Sequence, residues 1–298
     1  MQLKNGLRLF ILGPFLGICR KLFWGTKVQD SRLAAAPNGR LTNWQLKDLP
    51  KGVGTVSVMF RDPTFEIENS DIAMLPTLFD GSYEKTELDL LLGGIQNGTH
   101  FIDVSANVGI YSVLAKKRCP TDAVQVTAFE PSSEGLSILS RNIKKNNCLN
   151  IEIIPCAVSS IQSQVPLLRG SNLAVSKIVE ISIDAVTVKC VFLDTFFVDW
   201  GDSFGFIDIK IDVEGHEEEV VMGSRSLISR KKPRILIEVV PRSIDLSSSP
   251  WASASEVLSD NYESFVLIQR DDSQVFNTKF RDSVHRLKLS RAYKSTLR

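Results

Sequence analysis

From His100 onward, short apolar runs alternate with segments in which apolar residues recur every three or four positions. The runs are Phe101–Val104, Val124–Phe129, Ile151–Ile154, Phe206–Ile211 and Ile235–Val240. Most are nearly continuous in apolar residues, the pattern of a parallel strand covered on both faces. Between the first two runs, Ile110, Val113 and Leu114 fall at helical spacing. Between the second and third, Leu136, Leu139 and Ile143 do the same, after a helix start at Pro131-Ser132-Ser133. After the fourth run, Val220, Leu227 and Ile228 predict one helix ending at Arg230-Lys231-Lys232-Pro233, because proline cannot continue a helix but can open a strand. This βαβαβ order predicts an α/β fold, a doubly wound, mostly parallel sheet with helices on both faces and right-handed crossovers.

Between Gln164 and Cys190 the pattern breaks into the short alternating pieces "VPLLR", "KIVEISI" and "VTVKC", which predict a small antiparallel insertion. Ahead of His100 stand a predicted strand, Gly54–Phe60, and an amphipathic segment, Glu84–Ile95. The chain therefore divides into a basic, partly hydrophobic N-terminal segment (1–29), a lead-in with substrate-side elements (30–99), the α/β domain (100–270) and a basic C-terminal tail (271–298).

Composition adds the setting. Of 298 residues, 43% are hydrophobic and 23% charged, the proportions of an ordinary globular protein. The net charge of +1 conceals a division: residues 1–29 carry five basic residues and no acid, and residues 279–298 carry seven basic residues and one acid, leaving the body between them at −10. An acidic body argues against a duplex nucleic-acid face. Five widely spaced cysteines, without a CxxC pair or a Cys/His cluster, indicate neither a disulfide framework nor a metal site and predict a reducing, cytoplasmic setting. The apolar stretch Leu9–Cys19 contains Pro14 and is shorter than the roughly 20 residues a spanning helix needs. The alternative to a plain cytoplasmic protein is membrane-surface contact or organelle targeting through residues 1–29. Oligomeric state leaves no mark on the sequence.

Candidate chemistry gathers at three predicted strand ends, where doubly wound sheets bind ligands. The first is "DVSANVG", Asp103 to Gly109; the second is "AFEP", with Glu130 at its tip; the third is "KIDVEGHE", Lys210 to Glu217. Glu130 follows Gly109 by 21 residues, the offset at which a carboxylate reaches the two hydroxyls of a ribose. The loop Ser105-Ala106-Asn107-Val108-Gly109 lacks the GxGxxG that cradles a pyrophosphate, which disfavours a dinucleotide oxidoreductase. Asp103 and Asn107 suit an amino-acid head group, and a nucleoside carrying an amino acid is S-adenosyl-L-methionine. If Ser105 needs φ > 0, its Cβ costs about 1–2 kcal/mol, which weakens binding without abolishing it. In the third turn, His216 is the first candidate for a base and Asp212 the second, with Glu214 beside them. Both acids are also placed to cap the following helix. His100 and His285 are expected to be structural or solvated, and Glu217-Glu218-Glu219 to form an exposed first helical turn.

These motifs, in this order, resemble the FkbM-type S-adenosylmethionine-dependent methyltransferases. The likeness covers roughly residues 71–267 and rests on "YEKTELDLL", "FIDVSANVGIYSVLAKK", "VTAFEPSSEGLSILSRNIKKNN", "IEIIPCAVSS", "FLDTF", "IKIDVEGHEEEVVMG" and "KPRILIEVVPR". The resemblance implies a Rossmann-like class I methyltransferase fold and O-methylation of a hydroxyl on a sugar or small metabolite. It implies that Asp103, Ser105, Ala106, Asn107 and Gly109 surround the methionine part of the cofactor, that Glu130 holds the ribose, and that Cys156 and Ala157 lie near the adenine. Ser105 departs from the family, which usually has glycine there. That departure keeps open a second reading, a catalytically impaired binding or scaffolding relative.

Overall fold

The five apolar runs become five mutually parallel strands of one sheet. The computed structural model describes residues 7–11, 54–71, 74–119, 123–168, 177–178, 185–198, 205–239, 251–262, 265–269 and 274–278. In chain order the strands are β1 (Leu7–Ile11), β2 (Thr55–Met59), β3 (Thr64–Glu68), β4 (Thr99–Val104), β5 (Gln125–Phe129), β6 (Ile151–Ile154) and β7 (Ala157–Val158). They continue with β8 (Gln164–Leu168), β9 (Lys177–Ile178), β10 (Ala185–Val191), β11 (Phe206–Ile211), β12 (Arg234–Val239), β13 (Phe265–Gln269) and β14 (Gln274–Thr278). The helices are α1 (Met74–Asp80), α2 (Lys85–Gly93), α3 (Ile110–Lys117), α4 (Ser133–Lys145), α5 (Leu193–Phe196), α6 (Glu217–Met222), α7 (Arg225–Lys231) and α8 (Trp251–Asn261).

The main sheet has the order β14-β13-β1-β12-β11-β4-β5-β6, with β12, β11, β4, β5 and β6 parallel. From β4 the chain steps outward through β5 to β6, whereas β11 and β12 build away from the other side of β4. The strand order therefore reverses between β4 and β11, the doubly wound arrangement expected. Side chains alternate between two cores, as the period of two requires. Phe101, Val126, Ala128 and Leu236 enter the core shared with α3 and α4. Ile102, Val104, Phe129, Ile235 and Ile237 enter the core shared with α6, α7 and α8. The predicted insertion is a four-stranded sheet, β7-β10-β8-β9, in which β8 pairs antiparallel with β10 and β9.

Three features differ from the sequence reading. Leu7–Ile11, assigned there to a segment outside the domain, runs antiparallel between β12 and β13, with Leu9 opposite Ile237 and Leu267. The strand satisfies the backbone groups that two parallel neighbours would otherwise leave unpaired. Likewise β14 extends the sheet into the stretch read as a tail. The remainder of residues 1–29, the chain beyond Thr278 and His285 lie outside the described residues. Finally, the single helix expected before Pro233 is two, α6 and α7, broken at Gly223-Ser224. A Cβ on Gly223 would stand 2.0 Å from the Ser159 carbonyl oxygen, so the backbones touch there. The Asp194 carboxylate then accepts the Ser226 and Leu227 amides at 2.8 and 2.7 Å and starts α7 afresh.

The lead-in hairpin β2–β3 rests on α4 through two asparagines. Asn142, fully buried, accepts the Glu66 amide at 2.6 Å and donates to the Glu66 carbonyl at 3.0 Å and to the Val108 carbonyl at 2.8 Å. Asn146 accepts the Thr64 amide at 3.0 Å and donates to the Thr64 carbonyl at 2.8 Å. Asn142 thereby ties the hairpin to the loop that follows β4.

Candidate cofactor and active site

The loop after β4 must reverse into α3 within five residues, and it does so through left-handed backbone. Ser105 has φ 61°, Asn107 φ 51° and Gly109 φ 85°. Ser105 thus occupies the conformation that glycine adopts without strain, at a cost of about 1–2 kcal/mol. The loop is held from below: the Ala106 amide donates to the Phe129 carbonyl at 2.9 Å, and the Gly109 amide to the Ala106 carbonyl at 2.8 Å. Gly109 is favoured on two counts, because a Cβ there would also displace Leu139 Cδ1, which it would meet at 2.4 Å.

Asp103 is fully buried behind this loop. Its Oδ2 accepts the Ser112 hydroxyl at 2.6 Å, and its Oδ1 lies 3.5 Å from Lys210 Nζ. Glu130, 4% exposed at the tip of β5, is likewise built in. Its Oε2 accepts the Asn107 amide at 2.8 Å, and its Oε1 accepts the Ser132 amide at 2.9 Å and the Ser132 hydroxyl at 2.8 Å. Burial raises the Glu130 pKa, opposed by the Ser132 and Asn107 hydrogen bonds and by the nearby Lys210 charge. A carboxylate has about four acceptor positions, so Oε2 retains one and Oε1 is filled by Ser132. Ser132 also starts α4, its hydroxyl accepting the Gly135 amide at 3.0 Å, as the sequence predicts.

At the third strand end, Glu214 (φ 56°) and Gly215 (φ 103°) carry the chain into α6. His216 is the N-cap of that helix and its own side chain makes no capping hydrogen bond, so the N-cap position itself falls to neither Asp212 nor Glu214. His216 Nε2 lies 2.9 Å from Ser159 Oγ, leaving Nδ1 as its other ring nitrogen. Burial lowers the His216 pKa, and the Glu219 carboxylate partly counters it. Glu217 corrects the expectation of an exposed turn. It is 1% exposed, its Oε1 accepts the Gly215 amide at 2.9 Å, and its Oε2 is buried with no hydrogen-bond partner among the described residues. Burial, reinforced by the Asp212 and Glu214 carboxylates, pushes Glu217 up to about 7. His100 is structural, as expected. It is 1% exposed, lies 2.9 Å from Thr127 Oγ1, packs edge-on to Phe197, and burial pushes its pKa down to about 4.

The topology therefore brings Ser105, Ala106, Asn107, Gly109, Glu130, Asp212, Glu214 and His216 to the carboxyl ends of β4, β5 and β11, beside the reversal of strand order. Cys156 and Ala157 follow the end of β6, with Cys156 half-buried and free. Sequence reasoning passed over Ser112 and Ser159, gave Lys210 no role beyond opening the third motif, and read Glu217 as exposed. Only Lys210 left a signal: a lysine inside the apolar strand "FIDIKI" needs a buried partner. Among the described residues, Asn107 Oδ1 is buried without a hydrogen-bond partner. A lone acceptor at this loop suits a nitrogen donor, such as the α-ammonium of an amino acid, and the remaining Glu130 position suits a hydroxyl donor. The residues present thus fit a ligand with an amino-acid end and a ribose.

Strand order and loop together define a doubly wound α/β domain whose candidate site lies at the switch point. The methyltransferase FkbM domain profile matches residues 103–250. The chain thus carries a methyltransferase FkbM domain over these residues. The chain is 29% identical over 83 residues to methyltransferase sdnD of Sordaria araneosa, a match covering 28% of this chain and 31% of that protein. Among solved structures, it resembles methyltransferase FkbM from Methylobacillus flagellatus KT at 17% identity and TM-score 0.43, over 70% of this chain and 54% of that one. It also resembles precorrin-6y C5,15-methyltransferase from Geobacter metallireducens GS-15 at 16% identity and TM-score 0.37, over 66% and 83% of the two chains.

Proposed function

We propose that the chain is an S-adenosyl-L-methionine-dependent methyltransferase that methylates a hydroxyl on a sugar or other small metabolite. The observation that carries this reading is the left-handed loop at the end of β4, whose Asn107 amide is fastened to Glu130 at the tip of the adjacent strand. Bound there, the cofactor would supply an electrophilic methyl group. Asn107 Oδ1 would accept from the α-ammonium, Glu130 Oε2 would accept one ribose hydroxyl, and Cys156 and Ala157 would border the adenine. His216, whose Nε2 is engaged by Ser159 Oγ at 2.9 Å, would take the proton of the acceptor hydroxyl through Nδ1, because methyl transfer to oxygen must release one. The depressed pKa of His216 favours its neutral, proton-accepting form near neutrality. Asp212 and Glu214 would orient the acceptor from the same turn.

Calorimetry with S-adenosylhomocysteine tests the reading. Wild type should bind, and Glu130→Ala should lose at least about 100-fold in affinity, since it removes a ribose contact and releases the Asn107 and Ser132 amides. No binding by folded wild type or folded Ser105→Gly would overturn the cofactor assignment. The strained φ of Ser105 favours one alternative, a binding or scaffolding relative without turnover; methyl incorporation into any hydroxyl of a glycan and metabolite panel would exclude it.

A further inference from the structure

We infer that Lys210 is a positioning residue of the cofactor loop, its ammonium group holding Ser105 in the left-handed turn that presents Ala106 and Asn107 to the site. The inference rests on the cofactor reading above. Lys210 lies in β11 directly opposite Asp103 in the register of β11 and β4, and it is 5% exposed. Its Nζ donates to the Ser105 carbonyl at 2.7 Å, is 3.5 Å from the Val104 carbonyl, and is 3.5 Å from Asp103 Oδ1. The ammonium also stands 5.6 Å from the centre of the Tyr111 ring.

The physical logic starts with Ser105. Its left-handed φ takes the following peptide out of the strand ladder. A part-buried carbonyl so displaced is best satisfied by another donor, and Lys210 supplies a charged one. Charge-assisted hydrogen bonds are among the stronger ones, which allows this contact to offset the penalty of a Cβ in left-handed backbone. Lysine reaches the carbonyl while its stem stays in the core. Asp103 balances the charge, and the attraction between Lys210 and Glu130 extends the same cation toward the other wall of the site. A serine thus sits in a glycine position because a lysine on the neighbouring strand holds it there.

The test compares Lys210→Met with wild type in the Ser105 and the Ser105→Gly backgrounds. If the loop leaves its competent shape without Lys210, apparent affinity falls by the fraction of molecules lost from that shape. With serine present, Lys210→Met should weaken S-adenosylhomocysteine binding about tenfold. With glycine, which favours the turn by itself, the loss should be less than about threefold. Lys210→Arg should restore part of the affinity. Hydrogen exchange of the Ala106 and Asn107 amides reads the same coupling without ligand: Lys210→Met should accelerate exchange strongly with Ser105 and weakly with glycine.

Equal losses in both backgrounds, or none in either, would overturn the inference and assign Lys210 to general support of the sheet. If Lys210→Met fails to fold because Asp103 is stranded, the comparison is repeated in Asp103→Asn, which removes that charge and keeps an acceptor for Ser112. Absence of binding in every folded variant would refute the cofactor reading alone, and the exchange data would still decide the role of Lys210.

Discussion

Replacing Glu217 by glutamine isolates the energetic consequence of burying a carboxyl among acids. Glu217 is 1% exposed, and burial together with the Asp212 and Glu214 carboxylates raises its pKa from 4.5 to about 7. The folded chain therefore keeps the proton between about pH 4.5 and 7, where the unfolded chain has released it. Folding stability falls as pH rises through this window, because the unfolded state binds fewer protons. The interval between the two values corresponds to about 3 kcal/mol of stability lost once Glu217 ionises. Glutamine stays neutral throughout and keeps an oxygen for the Gly215 amide, which donates to Oε1 at 2.9 Å in the wild type. Urea unfolding of wild type and Glu217→Gln from about pH 4.5 to about 8 measures the effect. The two chains should be nearly equally stable at the acid end, with the variant gaining about 3 kcal/mol by the alkaline end. A difference that stays constant across the window would refute the reasoning, since it would show that Glu217 ionises with its ordinary pKa.

Two further outcomes follow from the two ends of α6. Gly223→Ala should lower stability by about 3 kcal/mol in urea unfolding, because the new Cβ meets the Ser159 backbone rather than a movable side chain; an unchanged midpoint would contradict the close approach of Gly223 and Ser159. With an acceptor identified by methyl incorporation, kcat/KM should show an acid limb with an apparent pKa below 6.5, the direction in which burial moves His216. His216→Asn should abolish that limb along with most of the rate, and a limb surviving the substitution would assign the proton transfer to another group.

The pattern of apolar positions determined the central architecture. All five parallel strands fall where the runs lie, and Ile151–Ile154 and Phe206–Ile211 coincide with them residue for residue. Local chemistry was equally legible: Ser132 begins α4, and Ser105 takes the positive φ that its place in a glycine loop demands. Such features depend on neighbours close in sequence, and sequence records those directly.

Only the tertiary structure decided what lies beside what. The break between α6 and α7 arises from the backbone of Ser159, far away in the chain. Leu7–Ile11 enters the sheet because β12 and β13 have space and unpaired backbone groups between them. In a row of three glutamates, only packing determines that Glu217 is buried while Glu218 and Glu219 are partly exposed. Lys210 is the sharpest instance, since its role depends on the register that sets it opposite Asp103, more than 100 residues earlier. Sequence fixes the periodicity of each element, whereas the partners of a buried charge are chosen by strand register and the reversal of strand order.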